Sequence, residues 1–140
     1  MKRAYICGKM SNVFECNKAR FLAAAKLLRA QGYDVVSPFE MDVENGFDPT
    51  GLSGDPKELE ALGFSRRAAL KRDTAAVCEC DVLAHLPEWE SSSGAVAEHA
   101  LACALGLRHV YLSDADLKQA DGNGKVRLQP ANVIRPGMFL

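Results

Sequence analysis

Apolar residues along this chain fall into short solid blocks, and between the blocks they recur at helical spacing. Ala4 to Cys7 is the first block and stops at Gly8. Phe21, Ala24, Ala25 and Leu28 then share one face of a helix that Asn17 can cap and that runs to about Ala30. Gly32 suits the left-handed position just past its end. Tyr33 to Ser37 is the second block, stopped by Pro38. Strand, helix and strand in succession predict a βαβ unit. Ser65 to Glu79 predicts a further helix, with Arg66, Ala69, Leu70, Asp73, Ala76 and Val77 on one face.

The stretch from Asp81 to Gly106 organises the rest. An apolar run (Val82, Leu83, Ala84) breaks at Pro87, and a polar turn covers Trp89 to Ser93. A helical run of Ala, Val, Leu and Cys follows to Gly106. That pattern predicts a buried strand, a loop and a largely covered helix, one βα unit of a parallel sheet. His109 to Leu112 predicts a fourth strand, Ser113 to Ala120 a helical turn, and Gly122-Asn123-Gly124 a turn. Val126 to Leu128 or Asn132 to Ile134 is expected to supply a fifth strand.

Residues 39–64 interrupt the alternation. The segment is acidic and rich in turn residues, and Asp55-Pro56 can start a short helix through Leu62. So long a connection, leaving the carboxyl end of a strand, is expected to act as a lid.

Composition narrows the classes. The chain has 140 residues, 48% of them hydrophobic, which predicts a single domain over 1–140 with a true core. A net charge of −1 gives no basic footprint for a nucleic-acid polymer. No apolar stretch approaches the roughly 18 residues that span a bilayer, and Lys2-Arg3 precede only a short apolar run, so neither membrane nor leader is expected. Five cysteines, several inside apolar runs, suit reduced thiols in a cytosol. Cys78-x-Cys80 is not a zinc spacing and His85 does not complete one, so no metal is expected.

Candidate chemistry gathers where strands end. Gly8-Lys9-Met10-Ser11-Asn12 follows the first strand and can cradle an anion, or be an ordinary βα turn. Glu98 lies about one turn into an otherwise apolar helix, where the helix dipole alone offsets little of the cost of burial. Asp73 sits in a mostly apolar stripe, as a functional carboxylate or as the partner of Arg66 or Arg72. Asp81 opens the third strand and can satisfy backbone groups there.

Several motifs occur together: Tyr5-Ile6-Cys7-Gly8-Lys9-Met10-Ser11, Gly32-Tyr33-x-Val35-Val36-x-Pro38, Asp73, Asp81, Pro87-x-Trp89-Glu90-x-Ser92-x-Gly94-Ala95-x-x-Glu98 and Leu105-Gly106. In this order the chain resembles the nucleoside 2-deoxyribosyltransferase-like superfamily, and within it a small branch common in phages and bacteria. The likeness covers about residues 4 to 112. It implies a flavodoxin-like three-layer α/β fold with a roughly five-stranded parallel sheet. It also implies Glu98 as the nucleophile and Asp73 as the group that handles the base's proton. Tyr5, Gly8, Lys9, Met10, Ser11, Asp81, Ser92 and Gly94 would then line the substrate pocket.

Where transferases acting on free nucleosides carry an aspartate, this chain has Ser92. A serine there resembles the nucleoside 5′-monophosphate N-hydrolases, although their first-loop arginine is replaced here by Ser11 or Asn12. The implied activity is cleavage of, or transfer from, the N-glycosidic bond of a (deoxy)nucleoside 5′-monophosphate in the cytoplasm. A free-nucleoside transferase, a nucleotide-binding module without turnover and an interaction protein using residues 39–64 are the alternatives. No cofactor is implied, and a homodimer or higher homo-oligomer is expected by analogy.

Overall fold

In a computed structural model the protein is described over residues 1–123 and 133–134. The chain runs β1 (Arg3–Cys7), α1 (Lys18–Ala30), β2 (Asp34–Val36), α2 (Pro38–Glu44), α3 (Pro56–Ala61) and α4 (Arg66–Val77). It continues through β3 (Val82–His85), α5 (Ser93–Leu105), β4 (Arg108–Tyr111), α6 (Asp114–Asn123) and β5 (Val133–Ile134). The strands lie in the order β2-β1-β3-β4-β5, the first four parallel. The architecture is a flavodoxin-like α/β sandwich.

The fifth strand corrects the all-parallel expectation. Val133–Ile134 pairs antiparallel with β4, Ile134 opposite His109. The alternative strand at Val126 to Leu128 lies outside the described residues, as does Gly124. Gly122 and Asn123, expected in a turn, close α6 instead.

Alternation along the strands builds the layers. Ala4 and Ile6 of β1, with Val82 and Ala84 of β3, pack against Phe21, Leu27 and Leu28 of α1. Tyr5, Cys7 and Leu83 point the other way, toward Val77 of α4 and Ala95 and Ala102 of α5. β1 and β3 are buried on both faces, which is why they read as solid apolar blocks. Among the described residues, no helix is long and apolar enough to cross a membrane.

The helix ends follow their side chains, with one exception. Ser65, Asp55 and Ser92 accept hydrogen bonds from the first turns of α4, α3 and α5. Gly106 ends α5 at φ 73°. Asn17 does not cap α1: its own φ is 68°, and its amide donates instead to the Lys9 carbonyl at 2.9 Å.

Residues 39–64 are more ordered than their composition suggested. Ser37 caps α2 with Pro38 in the first turn, so the proline that stops β2 also starts a helix. The segment then doubles back along the loop after β1. Asn12 N–H donates to the Gly54 carbonyl and Glu15 N–H to the Leu52 carbonyl, each at 2.8 Å. A Cβ on Gly54, whose φ is +85°, would lie 2.0 Å from the Val13 carbonyl oxygen, so only glycine permits this contact.

Candidate functional site

β1 and β3 are adjacent in the sheet, but the chain leaves them toward opposite layers, so a crevice opens where their carboxyl ends diverge. Gly8 makes the divergence possible. A Cβ there would meet Leu86 Cδ1 at 2.6 Å, while the Cys7 carbonyl accepts from Leu86 N–H at 2.8 Å. Beyond Gly8 the loop is tightly wound, with Asn12, Glu15, Cys16 and Asn17 all at positive φ. Left-handed backbone at non-glycine residues costs energy and persists only where surrounding contacts hold it, here the residue 50–54 strap and the Asn17 amide.

The crevice is a cleft of about 320 Å³. One wall is the loop Gly8 to Asn12, another the start of α5 from Ser91 to Ala95. Helix α4 supplies Arg66, Ala69, Leu70 and Asp73, and Pro38, Pro56 and Phe64 close the rim. Of residues 39–64, Pro56 and Phe64 reach the cleft.

Glu98 forms the floor. Its carboxylate is 5% exposed and accepts a hydrogen bond from Tyr5 Oη at 2.5 Å. Burial pushes the Glu98 carboxyl up to about 7, against the pull of the Tyr5 hydrogen bond. The negative charge of Asp73 adds to the upward shift. Burial and the same carboxylate raise the Tyr5 phenol well above its ordinary value, so it remains a donor. The Cys7 thiol donates to the Ala95 carbonyl at 3.3 Å, tying the end of β1 to the first turn of α5.

Asp73 faces the same cleft and is paired. Arg72 reaches it at 2.7 Å and Asp42 at 2.8 Å, so one guanidinium serves two buried carboxylates. Burial dominates nonetheless and pushes Asp73 up to about 6, while Arg72 pulls the other way. Burial is thus the main cause of the upward shift of both cleft carboxyl groups.

At the rim, Ser92 Oγ accepts from Ala95 N–H at 3.2 Å and retains its own proton to donate. Arg66 donates to Ser93 Oγ at 2.6 Å, which places a guanidinium beside the α5 N-terminus. Hydroxyls, open N–H groups and a cation together suit an anion.

Of the residues expected from the sequence, Glu98, Asp73, Gly8, Lys9, Met10, Ser11, Ser92 and Gly94 all border the cleft. Tyr5 does not: it is fully buried behind Glu98 and supports the carboxylate rather than a ligand. Asp81 is misplaced altogether. It precedes β3 at the amino end of the sheet, where its carboxylate accepts from Arg3 N–H at 3.0 Å. Arg66 was not singled out for the cleft, although it stands two helical turns before Asp73 on the same face.

The family model described as Domain of unknown function (DUF4406) matches residues 2–111. The chain belongs to that family. The DUF4406 match begins just before β1 and ends with β4, so it takes in all four parallel strands and every cleft residue named above. A comparison with curated proteins finds no match for this DUF4406 chain.

Proposed function

We propose that this DUF4406 protein breaks the N-glycosidic bond of a (deoxy)nucleoside 5′-monophosphate, passing the sugar to water or to another base. The observation that carries the reading is Glu98: a buried carboxylate, oriented by Tyr5, at the floor of a cleft whose mouth is a helix N-terminus. The motif likeness to the nucleoside 2-deoxyribosyltransferase-like superfamily supports it, because the same glutamate takes the nucleophile's place there.

The chemistry follows from the groups present. Ionised Glu98 attacks the anomeric carbon as the C–N bond lengthens, stabilising the oxocarbenium-like state and forming a glycosyl ester. The bonding pair leaves with the base, and protonated Asp73 supplies the proton that neutralises it. Water or an acceptor base then attacks the same carbon, its proton passing to the now ionised Asp73 as the ester bond breaks and Glu98 is released as carboxylate. Ser92, the α5 N–H groups, Lys9 and Arg66 hold the 5′-phosphate, Arg66 providing a cation where the first loop has Ser11 and Asn12.

The Arg72–Asp73 pair favours a second reading, a nucleotide-binding module without turnover, because the pair draws Asp73 toward its ionised form. Incubation with a panel of nucleoside monophosphates and nucleosides, followed by chromatography for free base, separates the two. The proposal expects base from monophosphates, and none with Glu98→Gln. Thermal stabilisation by nucleotides with no base released would establish the binding module instead.

A further inference from the structure

One residue beyond Glu98 along α5, three histidines converge. His85 ends β3, His109 lies in β4 and His99 projects from α5, and one ligand nitrogen from each lies within 4.8 Å of the others. Cys103 stands one turn after His99, its Sγ 3.6 Å from His99 Nε2 and 3.6 Å from His109 Nε2. None of the four borders the cleft.

We propose that His85, His99, His109 and Cys103 bind one zinc-class divalent ion. Metal bonds of about 2.3 Å to sulfur and 2.0–2.1 Å to nitrogen, at a tetrahedral angle, set sulfur about 3.6 Å from each nitrogen. Both Cys103 distances match that span. The same geometry sets nitrogens about 3.4 Å apart, so closing the histidines on an ion needs shifts of little more than an ångström.

The hydrogen bonds prepare the ligands. His85 Nδ1 faces the Val110 carbonyl at 3.1 Å, and a carbonyl only accepts, so the proton sits on Nδ1. The Nε2 lone pair of His85 is thereby left to accept from His99 Nδ1 at 2.9 Å, a contact that a metal bond to His85 Nε2 would replace. His109 is fully buried and turns Nε2 toward Cys103, so Nε2 is the nitrogen it offers an ion, while its Nδ1 has no hydrogen-bond partner. Around the cluster, the Trp89 ring stacks on His99 at 4.5 Å and Tyr111 on His85 at 4.3 Å, giving an aromatic shell that limits water. Three imidazoles and a thiolate in such a shell select zinc over oxygen-seeking cations. On binding, the Cys103 thiol proton passes to solvent as the metal–sulfur bond forms.

The test is a cobalt titration of full-length, chelator-treated protein, followed by displacement with zinc. The proposal expects one equivalent of cobalt, tetrahedral visible bands and a near-ultraviolet thiolate-to-cobalt band, all bleached by zinc. Cys103→Ser removes the thiolate band. His99→Ala, at a half-buried position, weakens zinc binding by more than about a hundredfold, since losing even an outer partner costs 10–100-fold. Circular dichroism confirms that each variant is folded, and the wild-type spectrum decides the matter if one is not. Absence of saturable cobalt binding overturns the site, as does unchanged affinity in folded His99→Ala. A thiolate band that survives Cys103→Ser removes that cysteine from it.

Discussion

Glu98 combines two roles that oppose each other energetically. Its carboxyl titrates at about 7, so between its ordinary value of 4.5 and about 7 the folded chain binds more protons than the unfolded one. Stability from this group therefore falls as pH rises through that window, by about 3 kcal/mol at about 1.4 kcal/mol per unit. Glu98→Gln keeps the acceptor for Tyr5 and removes the charge. The variant is expected to release no base, yet to unfold at higher denaturant than wild type above pH 7, with the difference vanishing below the ordinary glutamate range. Equal stabilities at pH 8 would show that the carboxylate is not held against a burial cost.

The same pair of carboxyl groups sets the pH–rate profile. Glu98 must be ionised, so activity falls below about 7, while Asp73 must be protonated, so it falls above about 6. The limbs cross, and the expected kcat/KM profile is a narrow bell centred between them. Tyr5→Phe deletes the hydrogen bond that lowers Glu98, so the limb belonging to Glu98 should move to higher pH. A profile that rises to a flat plateau at alkaline pH would take the general-acid role from Asp73.

At the scale of elements, the proposed activity assigns the choice of substrate class to the start of α5. Ser92 caps the helix and still has a proton for a phosphate oxygen. A hydrogen bond to a charged group contributes about 1.5–3 kcal/mol, or roughly ten- to a hundredfold in rate. Ser92→Ala should cost monophosphates that factor, beyond a general loss of about 1 kcal/mol of stability from the missing cap. Ser92→Asp keeps a cap and sets a negative charge against the phosphate, shifting preference toward free nucleosides. Measured kcat/KM ratios for both substrate types check this, and an unchanged ratio in Ser92→Asp would reduce Ser92 to a cap.

The strap of residues 50–54 is the second such element. It holds the left-handed loop after β1 through two backbone hydrogen bonds, and Gly54 lets it approach. Gly54→Ala puts a methyl into the Val13 carbonyl and strains a positive φ, which should destabilise the protein by more than about 1 kcal/mol. Because the strap shapes the loop proposed to hold the phosphate, KM should rise more than kcat falls. Unaltered melting and KM would show that the loop holds its form unaided.

Across the whole molecule, local signals and long-range placement divide cleanly. Periodicity made the strands and α1, α4 and α5 legible, because burying one face or both leaves a repeat that needs no partner to be read. Asp55 and Gly106 marked helix ends for the same reason: a cap acts within one turn. Glu98 stood out as a carboxylate that its own helix could not stabilise. What the sequence could not decide was which ends and faces meet. Asp73 and Glu98 belong to different helices and share a cleft only because β1 lies beside β3. The α4 stripe that reads as core turns its first half to that cleft, so Leu70 is 37% exposed while Val77 is buried. Asp81 opens a strand whose other end carries the site, and spacing does not say which end that will be. Asn17 lost its cap to a nearby carbonyl, and His85, His99 and His109 came together from three elements. Strand order sets these neighbours through contacts between distant residues, and no local pattern encodes such contacts.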